Sequence, residues 1–359
     1  MERLSAPLDV QIELTSQCNQ ECRHCYNYWR HSLVKDQDEL GMNDYSMVID
    51  QLRDAKVGLV TFTGGEPMLR KEILLKLIAL ATSYGIETGL NTNAALIQCK
   101  DARALKEQGL KHVLVSVLGP EDIHNTIAGA GGNYGRTIKG IESLLAVNLS
   151  VAVNMVVSKM NLDFIFDTAL ALKRLGVSTF CAGPMLPSCR ANIPLCLSGV
   201  ECKRCLRELM RIDKELSLKV DVLEPVARCL FGEREEAEFV RFFGNRICSA
   251  AVSSCVVSSA GTMRPCVHSD VVFGNVLPDK FLSTWLRMKS WASPKMLPEE
   301  CRTCNALMLC EGGCRMAARI TSGRYNGRDM YMTTPIIDPQ RAALISIEGD
   351  NISFGETYY

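Results

Sequence analysis

Short apolar runs alternate with segments of helical periodicity through the first half of the chain. Strand-like runs occur at 10–14, 57–62, 86–91, 113–117, 151–157 and 177–181, and helical spacing of apolar residues at 73–81, 137–146 and 164–175. Strands that alternate with helices predict a parallel α/β sheet, either open or closed into a barrel. Such sheets place their chemistry in the loops after the carboxyl ends of the strands.

The periodic pattern continues for one more helix and then fades. Ser198 and Glu201 have the spacing of a capping box, and Cys205 and Leu209 lie on one face of the helix that this box opens. Between about 245 and 315, Gly, Pro, Ser and Cys dominate, and such a segment needs metal sites to hold its shape. We therefore predict a strand–helix domain at 1–190, a bridging helical segment at 191–244, a cysteine-rich domain at 245–335 and a tail at 336–359.

Composition and charge exclude two classes of protein. Of the 359 residues, 47% are hydrophobic and 22% are charged, which is ordinary for a globular enzyme. The 40 basic and 40 acidic residues cancel, whereas binding to nucleic acid through phosphates favours a basic surplus. The sequence contains neither a run of 18 apolar residues nor a signal-peptide pattern. We expect a soluble, cytoplasmic protein that binds neither nucleic acid nor membrane.

The cysteine content is the unusual feature of the composition. There are 17 cysteines, an odd number that argues against a complete disulfide framework. Three lie between residues 18 and 25, and seven lie between residues 248 and 314. Because clustered thiols in a reducing compartment are more often metal ligands than bridges, the sequence predicts two metal-binding regions.

The first region is Cys18-x3-Cys22-x2-Cys25, directly after the first predicted strand. Three thiolates in one short loop can hold three irons of a [4Fe–4S] cluster and leave the fourth iron open to another ligand. A zinc site is the alternative, with His24 or His31 completing the four ligands that such sites use.

A glycine-rich turn follows the second predicted strand at the same edge of the sheet. It consists of Gly64, Gly65, Glu66 and Pro67. The glycines allow close backbone approach to a ligand, the proline stiffens the turn, and Glu66 offers an acceptor for an ammonium group. By itself this sequence is also typical of an ordinary tight turn.

Together, the cysteine loop, the glycine turn and the six strand–helix units resemble the radical S-adenosylmethionine (radical SAM) superfamily. The resemblance implies a partial (β/α)6 barrel of the TIM type, with a [4Fe–4S] cluster whose unique iron binds the amino and carboxylate groups of SAM. It implies that the Gly64–Pro67 turn holds the SAM amino group and that Tyr26 lies near the adenine. Asn93 and Ser116 match positions that contact the ribose or the methionine of SAM.

Two positions depart from the family pattern. Leu118 stands where relatives have the aspartate of Ser-Leu-Asp-Gly-Pro, and Ala128 stands where many have an arginine that contacts the SAM carboxylate. Arg136 is a candidate to replace that arginine.

The second cysteine region resembles the SPASM extension, which binds two auxiliary [4Fe–4S] clusters. The matching patterns are Cys248-x12-Gly261-x4-Cys266 and Cys301-x2-Cys304-x5-Cys310-x3-Cys314. The resemblance implies one cluster on Cys248, Cys255, Cys266 and Cys314, and three ligands of another on Cys301, Cys304 and Cys310. The spacing of the last four cysteines alone is also compatible with a structural zinc site.

The second auxiliary site lacks its usual fourth ligand. Relatives close it with a later cysteine, whereas this chain has Asp329-Met330-Tyr331-Met332 there and no cysteine after Cys314. A thioether binds iron poorly, so Met332, Asp329 and a group of the substrate are all open as the ligand. The alternatives are a cluster that only conducts electrons despite the lost ligand, or no cluster.

Seven cysteines fall outside these patterns: Cys99, Cys181, Cys189, Cys196, Cys202, Cys205 and Cys229. We interpret Cys99, Cys181 and Cys229 as small core residues. Cys202 and Cys205 are predicted to pack on one helix face. Cys189 and Cys196 lie in a proline-rich loop after the sixth predicted strand, and one of them is a candidate hydrogen-atom donor to a substrate radical, by resemblance to certain peptide epimerases. We take Cys189 as that candidate.

The resemblance favours a peptide-modifying maturase that forms a cross-link, thioether, epimer or oxidised side chain. Because only 17 residues precede the cysteine loop, we expect a separate protein to recognise the leader of the peptide. The electron donor would be a flavodoxin or ferredoxin. Val267, which replaces an aspartate found in anaerobic sulfatase maturases, disfavours that activity. The alternatives are modification of a small molecule or tetrapyrrole cofactor and, in another class, a non-catalytic zinc-binding protein.

Overall fold

A computed structural model of the chain describes residues 3–27, 39–129, 131–243 and 247–334. The chain divides into two compact units: Met1–Glu224 with Ser249–Ser293, and Pro225–Cys248 with Pro294–Tyr359. The predicted tail at 336–359 and the candidate zinc ligand His31 lie outside the described residues. Within the described part of the chain, no helix is both long enough and apolar enough to cross a membrane.

The first unit is built on a nine-stranded sheet whose strands lie side by side largely in chain order. The strands are β1 Asp9–Glu13, β2 Leu59–Thr63, β3 Glu87–Thr92, β4 His112–Ser116, β5 Ser150–Val157, β6 Thr179–Pro184, β7 Lys219–Asp221, β8 Ser254–Val257 and β9 Met263–Arg264. The order across the sheet is β7-β6-β5-β4-β3-β2-β1-β8-β9, and only the β8–β9 pair is antiparallel. The predicted α/β fold with a parallel, incompletely closed sheet is confirmed, and all six predicted strands form.

Helices connect the strands and also occur in the second unit. They are α1 Met42–Asp54, α2 Lys71–Ser83, α3 Cys99–Glu107, α4 Glu121–Ala128, α5 Asn133–Ala146, α6 Ile165–Leu175, α7 Gly199–Leu216, α8 Glu233–Phe243, α9 Phe281–Arg287, α10 Leu307–Cys310 and α11 Arg315–Ser322. The predicted capping box is present at the start of α7: the Glu201 amide donates to the Ser198 hydroxyl (3.3 Å), and the Ser198 amide donates to the Glu201 carboxylate (2.7 Å).

The two faces of the sheet differ in burial because successive side chains of a strand point to opposite sides. In β5, Val151, Val153 and Met155 are at most 1% exposed, whereas Ala152 and Asn154 between them are half-buried. The first face supplies the hydrophobic core. The second face is the one that a ligand can reach.

The predicted domain boundaries differ from the two units of the structure. Residues 254–257 form β8, which pairs in parallel with β1, so this part of the cysteine-rich segment belongs to the first unit. The buried Arg264 guanidinium donates to the Glu13 carboxylate at the end of β1 and to the Ser269 carbonyl (2.7 Å). Strand pairing across more than 200 residues leaves no local signal, so the sequence pattern did not show it.

The second unit relies strongly on polar side chains that bind the backbone. Arg315, 6% exposed, donates to the carbonyls of Met296 (2.8 Å) and Tyr325 (3.1 Å). Among its apolar contacts, Phe231 stacks on Phe239 with 4.8 Å between the ring centroids. This unit has little regular structure, as the loss of apolar periodicity in the sequence predicted.

Candidate functional site

The cysteine loop lies directly after β1, at the carboxyl edge of the parallel strands. The thiols of Cys18, Cys22 and Cys25 are all half-buried, and the Cys25 amide donates to the Cys22 carbonyl (3.1 Å) in a tight turn. The loop is fixed to the end of α4, where the Glu21 amide donates to the Ala128 carbonyl (2.9 Å). The three predicted cluster ligands therefore lie on one anchored loop.

The glycine turn after β2 runs directly against the start of the cysteine loop. The Gly65 amide donates to the Thr15 carbonyl (2.7 Å), and the Glu66 amide donates to the Gln17 carbonyl (2.8 Å). A Cβ atom at Gly65 would lie 1.8 Å from the Gln17 carbonyl oxygen, and one at Gly64 would lie 2.5 Å from that of Thr15. The sequence interpretation, that the glycines admit a ligand, needs correction: they admit the neighbouring backbone of the chain itself.

Glu66 is a buried carboxylate that binds the end of the next strand. It is 1% exposed and accepts hydrogen bonds from the Met68 amide (3.0 Å), the Thr92 hydroxyl (2.7 Å) and the Asn93 amide (2.9 Å). Burial raises its pKa, and these three hydrogen bonds oppose the rise. Since an ionised carboxylate offers about four acceptor positions, room remains for a further donor such as an ammonium group. Pro67 is buried and opens the short 3₁₀ helix that follows.

Asn93 and Tyr26 lie at the same edge and contact the loops around it. The Asn93 side-chain amide donates to the Asn19 side chain (2.8 Å) inside the cysteine loop. The Tyr26 hydroxyl is 3.4 Å from the Thr63 hydroxyl, and its ring stacks on His268 with 5.2 Å between centroids. Both residues thus lie beside the cysteine loop, and their contacts to SAM stay a prediction.

Ser116 is the last residue of β4 and is exposed on the open face of the sheet. Its register partner on β5 is Asn154, a residue that the sequence interpretation missed. The Asn154 side-chain oxygen is buried and has no hydrogen-bond partner. A buried acceptor without a partner is costly unless a ligand satisfies it, so Asn154 joins Ser116 as a candidate ligand contact.

The two departures from the family pattern lie together in space. Leu118 and Ala128 belong to one buried apolar cluster, against which Cys22 packs. Where relatives carry an aspartate and an arginine, this chain therefore has an apolar support for the cysteine loop. Arg136 is exposed at the start of α5 and donates to the Asn133 side chain (2.6 Å).

The loop after β6 reaches the cysteine loop. The Ser188 hydroxyl donates to the Cys25 carbonyl (2.8 Å), and the Asn192 side-chain amide donates to the Ser188 hydroxyl (2.8 Å). Cys189, the candidate hydrogen donor, is half-buried beside this anchor. Cys196 is buried, and this burial raises the pKa of its thiol to about 11.

Glu224 is a second functional candidate that the sequence interpretation missed. Its carboxylate lies against Gly183 near the carboxyl end of β6, where an added Cβ would be 1.9 Å from the Glu224 oxygen. That oxygen is buried and has no hydrogen-bond partner, and burial raises the pKa of the carboxyl to about 7. Carboxylates in such surroundings are candidates for proton transfer or substrate binding. No sequence motif marked it.

The predicted auxiliary ligands are divided between the units. Cys248 and Cys314 belong to the second unit, and Cys255 and Cys266 belong to the first. Cys255 is 1% exposed on β8 in register with Val10, so it shares the core face of β1. The next residue of β8, Val256, pairs with Arg264 of β9. Cys266 follows Arg264 by two positions. Strand alternation thus places Cys255 on the core face of β8, and its role as a ligand, which the resemblance implies, stays a prediction.

The remaining cysteines give mixed outcomes. Cys181, Cys202 and Cys205 are buried, so their interpretation as packing residues is confirmed. Cys99 is exposed at the start of α3, so its assignment to the core is wrong. The assignment of Cys229 is also wrong: its side chain is half-buried, and it lines a cavity in the second unit together with Cys301, Cys304 and Cys310.

The donor set fits iron–sulfur clusters better than single ions. Within the described ranges, no three His, Cys, Asp or Glu side chains are close enough to hold one metal ion. Thiolates that ligate one zinc lie about 2.3 Å from it, whereas those of a four-iron cluster bind separate irons and stand further apart. Burial and the nearby His124 lower the pKa of His24, the other candidate zinc ligand, to about 4, so its ring is neutral and this shift does not argue against a metal. A cluster on the Cys18–Cys25 loop, with one iron left for SAM, stays what the resemblance implies.

The structure combines a partial parallel barrel with a three-cysteine loop after β1 and a glycine turn after β2. This combination is typical of radical enzymes that use SAM. Residues 12–178 match the Radical SAM superfamily.

The AdoMet-dependent heme synthase of Methanosarcina barkeri is 26% identical over 91% of this chain and 96% of its own length. The PqqA peptide cyclase of Rhodopseudomonas palustris is 26% identical over 90% of this chain and 85% of its own. SuiB of Streptococcus suis, solved with the precursor peptide SuiA, shares the fold with a TM-score of 0.72 and 18% identity, over 91% of this chain and 76% of its own.

The chain thus contains a radical SAM domain and is an enzyme of that class. Its relatives include both peptide maturases and heme synthases, so the comparisons leave its substrate open. Membership implies SAM and a [4Fe–4S] cluster as cofactors.

Proposed function

We propose that this enzyme abstracts a hydrogen atom from a ribosomally made peptide and thereby matures it. The observation that carries the proposal is the similarity to PqqA peptide cyclase along 90% of the chain. The sporulation killing factor maturation protein of Bacillus subtilis supports it with 25% identity over 76% of the chain. The mycofactocin maturase of Mycobacterium tuberculosis supports it with 25% identity over 89%.

The residues of the chain have separate tasks in this proposal. When bound at Cys18, Cys22 and Cys25, the cluster and SAM supply a 5′-deoxyadenosyl radical that removes hydrogen from an unactivated carbon. Glu66 and the turn around it hold the SAM amino group, and Asn93, Ser116 and Tyr26 contact the rest of SAM. Glu224 offers the peptide a buried acceptor near the carboxyl end of β6. A flavodoxin or ferredoxin supplies electrons, and a separate protein recognises the leader of the peptide.

Modification of a tetrapyrrole is the second candidate. The AdoMet-dependent heme synthases favour it, because the one from Methanosarcina barkeri matches over 96% of its own length. A tetrapyrrole would react with the same radical at the same edge of the sheet, so the geometry of the site fits both substrate classes. An activity assay is needed to distinguish them.

Incubation of the reconstituted protein with SAM, a reductant and each substrate class separates the two. We expect a precursor peptide encoded beside this enzyme to raise 5′-deoxyadenosine formation at least about tenfold over the substrate-free rate, as tight positioning of a reacting carbon would. The peptide should change mass, as mass spectrometry would show. Stimulation by Fe-coproporphyrin with no effect of the peptide would contradict the proposal and support the second candidate.

Cys189 is the proposed hydrogen donor within this reaction. Its thiol would give a hydrogen atom to the peptide carbon radical, and one electron from the reductant and one solvent proton would restore the resulting thiyl radical. Solvent deuterium should therefore enter the peptide. In Cys189→Ala we expect this incorporation to fall at least about tenfold, while peptide-dependent 5′-deoxyadenosine formation continues.

Cys99→Ala is the matched control for Cys189, because it removes an exposed thiol on α3. It should leave both readouts unchanged. Unchanged deuterium incorporation in Cys189→Ala would show that Cys189 is not the donor. Lack of deuterium in the product of the parent enzyme would exclude any thiol donor.

A further inference from the structure

A cavity in the second unit brings together cysteines that are distant in sequence. Its lining includes Cys301, Cys304 and Cys310, the three predicted ligands of the second auxiliary cluster. Cys229 lines the same cavity, although it precedes them by more than 70 residues. Cys229 belongs to a short 3₁₀ helix, Arg228–Leu230, ahead of α8. The cavity is therefore lined by four thiols.

Backbone amides donate to the sulfurs at two points of the cavity. The Arg228 amide donates to the Cys310 sulfur (3.4 Å), so the 3₁₀ helix that carries Cys229 is held against a predicted ligand. The Thr333 amide donates to the Cys229 sulfur (3.3 Å), and the Thr333 hydroxyl donates to the Cys229 carbonyl. Hydrogen bonds to cysteine sulfur are a means by which proteins tune iron–sulfur clusters.

The charges around the cavity suit an anionic cluster. Cysteines bind metal as thiolates, so a cluster at these four thiols is anionic. The Arg228 side chain, 1% exposed, also lines the cavity and contributes a positive charge.

The other candidates for the fourth ligand are less suitable. Asp329 does not line the cavity, and its two carboxylate oxygens accept from the Cys314 amide (2.7 Å) and the Tyr331 amide (2.8 Å). Met332 does line it, but its thioether accepts from the Asp329 amide (3.3 Å) and is a weaker ligand for iron than a thiolate. Cys229 is the remaining thiol of this lining.

We propose that Cys229 is the fourth ligand of an iron–sulfur cluster held by Cys301, Cys304 and Cys310. In relatives, the fourth ligand is a cysteine that follows the Cys301–Cys314 pattern. In this chain it is Cys229, which precedes that pattern. The cluster is then closed by protein, so it conducts electrons and does not bind substrate. The inference rests on the presence of a cluster at these three cysteines and is independent of whether the substrate is a peptide.

Iron content and spectra of anaerobically reconstituted full-length protein test the assignment. We expect Cys229→Ala to lose as much iron and sulfide as Cys304→Ala, up to about four irons per chain. Both variants should show the same altered electron paramagnetic resonance spectrum of the reduced protein. Met332→Leu and Cys99→Ala should match the parent, and Met332→Cys should gain no iron because the site is already closed. Parent-like iron and spectra in Cys229→Ala would refute the proposal, as would loss of iron in Met332→Leu alone.

A chemical experiment on the parent protein avoids the risk that a variant fails to fold. In the reconstituted protein, iodoacetamide should alkylate Cys99 and leave Cys229 protected together with Cys301, Cys304 and Cys310. After removal of iron by a chelator under denaturing conditions, all five should react, as peptide mapping would show. Alkylation of Cys229 as fast as Cys99 in the reconstituted protein, with the other three protected, would refute the assignment. Reaction of all five would refute it too, because no cluster would be present, while the radical reaction at the Cys18–Cys25 loop would stand.

Discussion

Replacing Cys18, Cys22 and Cys25 together with alanine is expected to reduce SAM cleavage to background. The three thiols lie on one loop directly after β1, and alanine leaves no side chain there that can bind iron. The auxiliary sites proposed in the cysteine-rich region should keep their iron. Chromatography of 5′-deoxyadenosine and an iron assay on the same sample measure both effects.

The matched control for the triple variant is the packing pair of α7. Cys202 and Cys205 are fully buried, so their replacement by alanine removes thiols without removing predicted ligands. That double variant should keep SAM cleavage, although some stability is lost with the buried sulfur atoms. Cleavage at the parent rate in the triple variant would mean that the loop is not the SAM-binding cluster site.

Gly65→Ala is expected to disrupt the SAM site through the backbone alone. The new Cβ would lie 1.8 Å from the Gln17 carbonyl oxygen, and a methyl group on Cα cannot rotate away from it. The glycine turn and the cysteine loop must then separate, at a cost of about 3 kcal/mol or more in the free energy of unfolding. We expect SAM affinity to fall at least about tenfold, which equals about 1.4 kcal/mol.

Gly135→Ala provides the control for this substitution. Gly135 lies in α5, and apart from its chain neighbours and the backbone of its own helix, no described atom lies within 4 Å of an added Cβ. Alanine in a helix is favoured over glycine by roughly 0.5–1 kcal/mol, so this variant should be slightly more stable and bind SAM normally. Thermal unfolding and equilibrium binding of SAM measure both variants. Equal SAM affinity in Gly65→Ala and Gly135→Ala would show that the turn tolerates movement.

The local features of this protein could be predicted from its sequence because their determinants are close together in the chain. The six strands follow from continuous apolar runs, and the start of α7 follows from a capping box only four residues long. The Cys18–Cys25 loop falls after β1 as predicted, since three ligands within eight residues need no distant partner to be recognised. Residues 12–178 match the superfamily that these short patterns resemble.

Features that depend on distant pairing were decided only by the tertiary structure. Parallel pairing of β8 with β1 places Cys255 in register with Val10, which no spacing in the sequence indicated. The fold also brings Cys229 to the cavity of Cys301, and it brings Glu224 against Gly183. The physical reason is that spacing reports neighbours along the chain, whereas a ligand set or a buried carboxylate is defined by neighbours in space. The sequence alone thus indicated the residues of the SAM site, whereas only the tertiary structure showed which distant cysteines line the same cavity.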